Sequence, residues 1–396
     1  MQFSRRNFLV AATAVPFLRA AAPERSLIYL SASAPERLRA FARRTNTDVI
    51  DHLAASALKA GPWSVTAHRP SHLDVPVNDF VSDAPYFWPD PKDPKAAYVR
   101  KDGEHYADRF QTNVNDLRSM CSAVLSLGMG AYLLGRRECA SHAERVLTTW
   151  FLDPKTRMNP NLQHAQMIRG VNQGRGAGQI DSVPLTHAAQ GIVLLELSGG
   201  FDSGVSNDVR RWYADYLNWM MTSDHGKSER KTGNNHSTWW TVQAAAHAAF
   251  TGNTEVRQFA WNRFRDYLVS AEIQPDGDCP REEARTRSLH YSTMNLDAFS
   301  LLCRLAQNDG VDLWSYRTSR GIGVETAFRY LLPYVLDPAK WKKQQIDQFN
   351  QGEHYYPGVA GIGMPSSDLW KAYLSLPRDR SAWVQFLDVA LRAEAA

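Results

Sequence analysis

Apolar residues recur at spacings of three and four along most of the chain, the period of a helix with a buried face. The pattern is clear in "DLRSMCSAVLSLGMGAYLLG" (116–135), "PLTHAAQGIVLLELSG" (184–199), "SNDVRRWYADYLNWMMTS" (206–223) and "STWWTVQAAAHAAFTG" (237–252). It continues in "VRQFAWNRFRDYLVSAEI" (256–273), "TMNLDAFSLLCRLAQNDG" (293–310) and "VETAFRYLLPYVL" (324–336). Several runs stop at glycine, at Gly135, Gly199, Gly252 and Gly310, the residue that tolerates a left-handed helix end. Strand signals are weak and scattered. The recurring unit is a helical hairpin of about 40 residues, a length typical of helical repeats, but no strict sequence repeat accompanies it. These features predict an all-α protein built as an (α/α) toroid, an incomplete ring of hairpins rather than an open solenoid, in one large domain over residues 23–396.

Three stretches break the helical texture. "DFVSDAPYFWPDPKDPKAAYVRKDGEHY" (79–106) is rich in Pro, Asp and aromatics; "DPKTRMNPNLQHAQMIRGVNQGRGAGQIDS" (153–182) is rich in Asn, Gln and Gly; "QPDGDCPREEARTRSLHYS" (274–292) is a turn followed by a dense polar run. Loops carried on a rigid helical scaffold are where binding and catalysis tend to sit. A fourth stretch, "TGNNHSTWW" (232–240), places two asparagines and His236 just before a helical run. One Asn would suffice to cap a helix, so the second Asn and the His are surplus to capping and are candidate site residues.

Composition narrows the classes. The 396 residues are 44% hydrophobic and 22% charged, ordinary for a globular protein with ample core. The 12 Trp and 15 Tyr suit a protein that stacks planar or pyranose rings. The net charge of +4 is mild, and no Lys/Arg stripe with interleaved aromatics argues for nucleic acid; a modest positive balance still helps attract an acidic polymer. The N-terminal "SRRNFLVAATAVPFLRAAAPE", with paired Arg5 and Arg6, an apolar stretch and an Ala-rich end, reads as a twin-arginine secretion signal over residues 1–22, which predicts a periplasmic or secreted protein. Beyond it no apolar run approaches the roughly 18 residues of a membrane span. Cys121, Cys139, Cys279 and Cys303 show no CxxC spacing, which argues against a zinc ribbon.

Candidate chemistries can be weighed in turn. "GRGAG" follows no strand and lacks the spacing of a dinucleotide fingerprint; Gly174, Gly176 and Gly178 are expected instead to let the backbone approach another surface closely. His236, His247 and His290 have no metal-site spacing, so neither metal nor other cofactor is expected. A GxSxG elbow is absent. Asp276, Asp278, Glu282 and Glu283 crowd one turn, but acidic turns are usually solvated and catalytic carboxylate pairs normally come from separate segments. The run "REEARTRSLHYS" differs: Arg285, Arg287, His290 and Tyr291 supply cationic donors and a phenol within seven residues. With helix begun by Ser288, Arg287 and Tyr291 share a face.

Asn, His, Arg and Tyr together suit β-elimination on a uronic acid. Removing the weakly acidic C5 proton builds charge on the neighbouring carboxylate, which Asn, protonated His or Arg must hold as an oxyanion hole does. A base takes the proton and an acid protonates the departing O4; a tyrosine can do both if a nearby cation lowers its pKa.

At these residues the sequence resembles the alginate lyase superfamily of helical polysaccharide lyases. "VNDFVSDAPYFWPDP…YVRKDGE", "MNPNLQHAQMIRGVNQGRGAGQIDS", "TGNNHSTWW" and "IQPDGDCPREEARTRSLHYS" fall in the family's order over roughly residues 79–300. The resemblance implies an (α/α) toroid with an open cleft, elimination without a cofactor, and an acidic polysaccharide as partner. It places the family's Asn-His pair on Asn235 and His236, its tyrosine on Tyr291, and its arginine on Arg285 or Arg287. In polysaccharide lyase family five that arginine lies seven residues before the tyrosine. Here position 284 is Ala and Arg285 lies six before, a departure that points to polysaccharide lyase family thirty-eight, whose members include lyases for glucuronan and mannuronan.

Trp88 and the 161–175 loop are expected to line the cleft, with Gln163 and Arg175 reaching sugar hydroxyls or carboxylates. His187 sits on an amphipathic stretch where core and cleft both stay open. Two rivals remain: a hydrolase using a carboxylate pair such as Asp181 and Glu283, and a non-catalytic binder stacking sugars on Trp88, Trp239 and Tyr355. His236, with an ordinary value near 6.5, is the expected base wherever proton and leaving group depart from opposite sides of the sugar. Tyr291 is the expected acid throughout, and both acid and base on mannuronate.

Overall fold

The computed structural model describes residues 28–29, 34–45, 47–70, 73–93, 96–364 and 367–396. The secretion signal expected over residues 1–22 lies outside them.

Helices dominate. After α1 (Ala34–Ala42) and α2 (Asp48–Ala57), a long loop carries the short strands β1 (Val81–Asp83), β2 (Phe87–Trp88) and β3 (Val99–Arg100). Then follow α3 (Thr112–Leu133), α4 (Arg137–Leu147), β4 (His164–Met167), α5 (Pro184–Ser198), α6 (Ser203–Thr222), the short α7 (Asp224–Glu229) and α8 (Asn235–Thr251). The second half holds α9 (Thr254–Arg263), α10 (Val269–Glu272), α11 (Pro280–Glu283), α12 (Ser288–Asn308), α13 (Val324–Leu336), α14 (Tyr356–Gly363), α15 (Ser367–Ser375) and α16 (Ala382–Ala395). The helices fall where the apolar period places them. α5 and α8 end at Gly199 and Gly252, both left-handed. The run 256–273 is not one α-helix, because a π-helical turn at Phe264–Leu268 separates α9 from α10.

The inner wall is made by α3, α5, α8 and α12, each packed on the next, and continued by α14 and α16, which packs back on α3. Outside them lie α2 and α4 against α3, α6 and α9 against α8, α13 against α12, α15 against α14 and α1 against α16. This is the expected incomplete (α/α) toroid. The inner helices are not one-faced, however. In α8 every residue from Ser237 to Ala248 is buried, and in α3 every residue from Ala123 to Leu133, because inner helices have neighbours on all sides. One contiguous apolar core runs from Ile28 to Ala393, and each buried Leu, Ile or Val there contributes roughly 1.5–3 kcal/mol. All four cysteines are buried and free.

The irregular stretches gather around the starts of α8 and α12. β1 pairs in parallel with β4, joining the 79–106 and 153–182 loops, and β2 pairs with β3 as a small antiparallel ribbon. Gly174, in the second loop, has a φ of +153°, and a Cβ there would overlap the Gln163 carbonyl oxygen, which is the close backbone approach the glycine-rich run predicts.

Candidate active site

Neither asparagine of "TGNNHS" caps α8. Asn234 occupies the cap position but makes no side-chain cap bond, and its Oδ1 is buried without a partner. Asn235 is the first helical residue, 1% exposed. Its backbone N–H and its side-chain Nδ2 both donate to the Glu282 carboxylate, each at 2.6 Å. Glu282, expected in a solvated acidic turn, is itself 1% exposed. Burial pushes its pKa up while the two Asn235 bonds, Arg285 and His236 work the other way. The helix start thus rests on a buried carboxylate rather than on a capping side chain.

His236 stays half-buried, with Nδ1 2.5 Å from Oε1 of Glu229, the last residue of α7. Burial disfavours the imidazolium, but the adjacent Glu229 and the nearby Glu282 outweigh it and raise the pKa above the ordinary histidine value. The expectation of an unperturbed base near 6.5 is therefore corrected. The carboxylate also fixes the ring so that Nε2 is the nitrogen left over.

The second half of the site comes from the start of α12. Arg285 donates from Nε and Nη2 to the carboxylate of Asp102, at 2.9–3.1 Å. Its guanidinium carbon sits 4.0 Å from the centre of the Tyr291 ring. Tyr291 is buried, at 6% exposure, and its hydroxyl shares a short hydrogen bond with that of Tyr86. Burial raises the phenol's pKa, Tyr86 adds to the rise, and Arg285 and Arg287 only partly oppose it. The nearby cations do not bring the phenol below its ordinary value in the free protein. Tyr291 rests as an acid.

These groups form one connected cluster: Asn235 bonds Glu282, Glu282 feels the charges of His236 and Arg285, Arg285 covers Tyr291, and Tyr291 bonds Tyr86. Two helix N-termini, of α8 and α12, open onto it, and such ends carry partial positive charge that favours an anion. Arg175 adjoins on the other side, with Nη2 2.7 Å from Gln166 Oε1 and its guanidinium 5.2 Å from the Phe87 ring centre. Burial lowers its pKa, against the pull of Glu229 and Asp181. Near Tyr86, His105 packs at 5.2 Å between ring centres, and Arg109 and Arg118 lie close enough to disfavour its charge further after burial has done so. Arg118 makes no hydrogen bond or ion pair among the described residues.

The remaining expected residues are scattered around this cluster. Trp88 lies on the same ribbon as Tyr86, its indole N–H bonded to the Glu104 carbonyl and Lys101 over its ring at 4.4 Å. Gln163 is exposed at the rim, 3.3 Å from Nε2 of His225. Arg287 pairs with Asp347 at 2.7 Å. His187 is stacked flat on Trp383, at 4.1 Å and 9°, and burial drops its pKa to about 3; among the described residues it touches none of the cluster. Trp239 and Tyr355 are each 5% exposed, too covered to offer a sugar-stacking face. The hydrolase pair is also apart in its contacts: Asp181 accepts from Ser82 and Gln166, while Glu283 is paired with Lys343. Among the described residues no three His, Cys, Asp or Glu side chains gather as a metal-ligand set, and no helix is long and apolar enough to cross a membrane. A cavity of about 720 Å³ lined by Trp314, Arg317, Glu325 and Arg329 lies at the far end of α12 and holds none of the site residues.

Sequence reasoning passed over Tyr86, Asp102 and Glu229, and set Glu282 aside as part of a solvated turn. The first two stand inside quoted motif stretches, in "APYFW" and "RKDGE", where an aromatic or an acid looks like any loop residue until its partner is known.

The model of the alginate lyase family matches residues 64–341. The chain belongs to the alginate lyase family. A crystal structure of an alginate lyase from Bacteroides ovatus is similar at 30% identity and a TM-score of 0.82, covering 91% of this chain and 98% of that one. Alginate lyase A1-III from Sphingomonas species A1 shares the fold at 17% identity and a TM-score of 0.58, over 94% of this chain and 99% of that one. A variant of A1-III complexed with a tetrasaccharide matches similarly, at 17% and 0.58 over 93% and 96%. No curated protein sequence matches this chain. The matched span holds every residue of this cluster, from Tyr86 to Tyr291.

Proposed function

We propose that this polysaccharide lyase cleaves polyuronates by β-elimination at the cluster around Tyr291, with alginate, particularly its mannuronate blocks, and glucuronan as the substrate candidates. The observation that carries the reading is the junction of four residue types from two helix starts: Asn235 and His236 on one side, Arg285 and Tyr291 on the other. In this reading the Asn235 amide, joined by the imidazolium of His236 wherever Tyr291 works alone, holds the substrate carboxylate as C5 loses its proton. Charge developing there is stabilised most by donors already fixed in a dry site. Tyr291, protonated at rest, supplies the proton to O4. On mannuronate and glucuronate, where both leave from one side, Tyr291 serves both steps: once its resting proton has passed to solvent, the phenolate takes the C5 proton and hands it to O4. On guluronate, the C5 epimer, where they leave from opposite sides, neutral His236 is the base from the opposite side. Its partner Glu229 makes it a stronger base, at the cost of needing a higher pH to be free of its proton. The twin-arginine-like N-terminus supports export, so the expected site of action is the periplasm or outside the cell, and the Arg285 spacing supports the branch that includes lyases for glucuronan and mannuronan.

The test is a panel of purified polymannuronate, polyguluronate and glucuronan, with absorbance of the new unsaturated uronate followed alongside reducing ends. Absorbance should rise in step with chain ends. New reducing ends without absorbance would mean hydrolysis and overturn the reading.

A further inference from the structure

Arg285 is held in an uncommon way for a residue expected to meet a substrate carboxylate, since a carboxylate of the protein already occupies it. Asp102 follows β3 and accepts from Arg285 Nε to both of its oxygens and from Nη2 to one. The same side chain accepts from the backbone N–H of Thr286, at 3.3 Å, and from the Thr286 hydroxyl, at 3.1 Å. Arg100 adds an ion pair at 2.6 Å. Gly103, with a φ of +78°, lets the loop turn at this point, and a Cβ there would press into Thr286 and Ile346. Asp102 is therefore built into the α12 start, 183 residues away in sequence, and is no transient surface partner. Its bonds use the Nε and Nη2 edge of Arg285, while Nη1 has no hydrogen-bond partner among the described residues.

We propose that Asp102 is a positioning residue for the elimination: it holds the Arg285 guanidinium against the Tyr291 ring and leaves the Nη1 edge for the substrate carboxylate. A guanidinium is a rigid fork, so fixing one edge fixes the direction of the other. Without Asp102, Arg285 is free to swing toward buried Glu282, which already faces it. The loop carrying Tyr86 and Trp88 thus completes the site twice, through the Tyr86 hydroxyl and through this carboxylate.

The proposal rests on the lyase reading of Tyr291 and Arg285, and a double-mutant cycle separates the two. Asp102→Ala is expected to lower kcat on the preferred uronan by roughly 10- to 100-fold, with KM changed less than about threefold. Asp102→Asn, which keeps an acceptor oxygen but loses the charge, is expected to fall between it and the parent. In an Arg285→Ala background neither change should lower kcat further, since Asp102 acts through Arg285. A loop anchor acting through Thr286 would instead cost the same factor in both backgrounds, and that additivity overturns the proposal. So does parental kcat in Asp102→Ala. Should Asp102→Ala fail to fold, the Asp102→Asn cycle decides on the same criterion. Retained activity in Tyr291→Phe would sink the assignment of Tyr291 on which this rests, whereas an inactive Tyr291→Phe with an additive Asp102 cycle sinks this inference alone.

Discussion

The two halves of the site are fixed by different means. At the start of α8 the partners are buried acids of the helical body: Glu229 at 2% and Glu282 at 1% exposure orient His236 and Asn235. At the start of α12 the partners arrive on a loop: Asp102 and Tyr86, both from the 79–106 stretch, hold Arg285 and Tyr291. The α8 half is held together by the packing of α7 and α11 against its start. The α12 half is complete only when the loop is docked. A carboxylate buried with its partner is costly to disturb because removing one member leaves the other uncompensated, whereas a loop contact can be altered with less damage to the core. Changes on the loop side should therefore separate catalysis from stability, and changes on the α8 side should mix them.

The largest effect is expected at the chemistry shared by both halves. Tyr291→Phe should lower turnover by roughly a thousandfold or more on every uronan, since it removes the acid each time; the unsaturated-uronate absorbance measures this directly. His236→Ala should then divide the substrates, being most damaging on polyguluronate and leaving residual cleavage of polymannuronate and glucuronan. Equal losses on all three would place His236 in carboxylate binding alone.

Next in size, Asn235→Ala should cost roughly 3 kcal/mol of transition-state stabilisation, the typical loss of one such donor, seen in kcat more than in KM. The same variant strands the Glu282 carboxylate, so its melting temperature should also drop. A catalytic loss without any thermal loss would break the contrast drawn between the halves.

Glu229→Gln should act through pH. The raised pKa of His236 comes from Glu229 overcoming burial, so the rising limb of kcat/KM on opposite-side substrates should lie above 6.5 in the parent and move down in the variant. The stability sign follows from the same shift. The His236–Glu229 pair stabilises fully below the ordinary imidazole value, and that contribution is lost as pH rises through the raised folded-state value. Melting temperatures of parent and variant across pH 5 to 9 read it out.

The smallest effects are expected away from the cluster. Trp88→Ala, on the loop side, should raise KM a few-fold with little change in melting temperature; unfolding instead would make Trp88 a loop anchor. His247 is fully buried between Tyr213 and Tyr216 with both ring nitrogens unpartnered, and burial drops its pKa to about 3. It stays neutral in the fold but gains a proton when unfolded below about 6.5, so it costs stability as pH falls from there toward 3, by at most about 1.4 kcal/mol per pH unit. His247→Leu should flatten the acid side of the melting curve and leave kcat alone.

What the sequence determined by itself is what local spacing encodes. The apolar period placed α3, α5, α6, α8, α12 and α13, and glycines marked the ends of α3, α5, α8 and α12. The surplus Asn235 and His236 and the Arg285-to-Tyr291 run stood out because their polarity conflicts with a helix start that needs only one cap. Which helices are inner was not legible, because burial on all sides depends on neighbours and not on period. Nor was the pairing of Tyr86 with Tyr291, across 205 residues, or of Asp102 with Arg285. The raised pKa of His236 likewise depends on a carboxylate delivered by α7 packing. Residue type and spacing fix which chemistries a segment can offer. Only the folded chain decides which charge stands beside which phenol, since electrostatic and hydrogen-bond effects fall off over a few ångströms and those distances are set by tertiary packing.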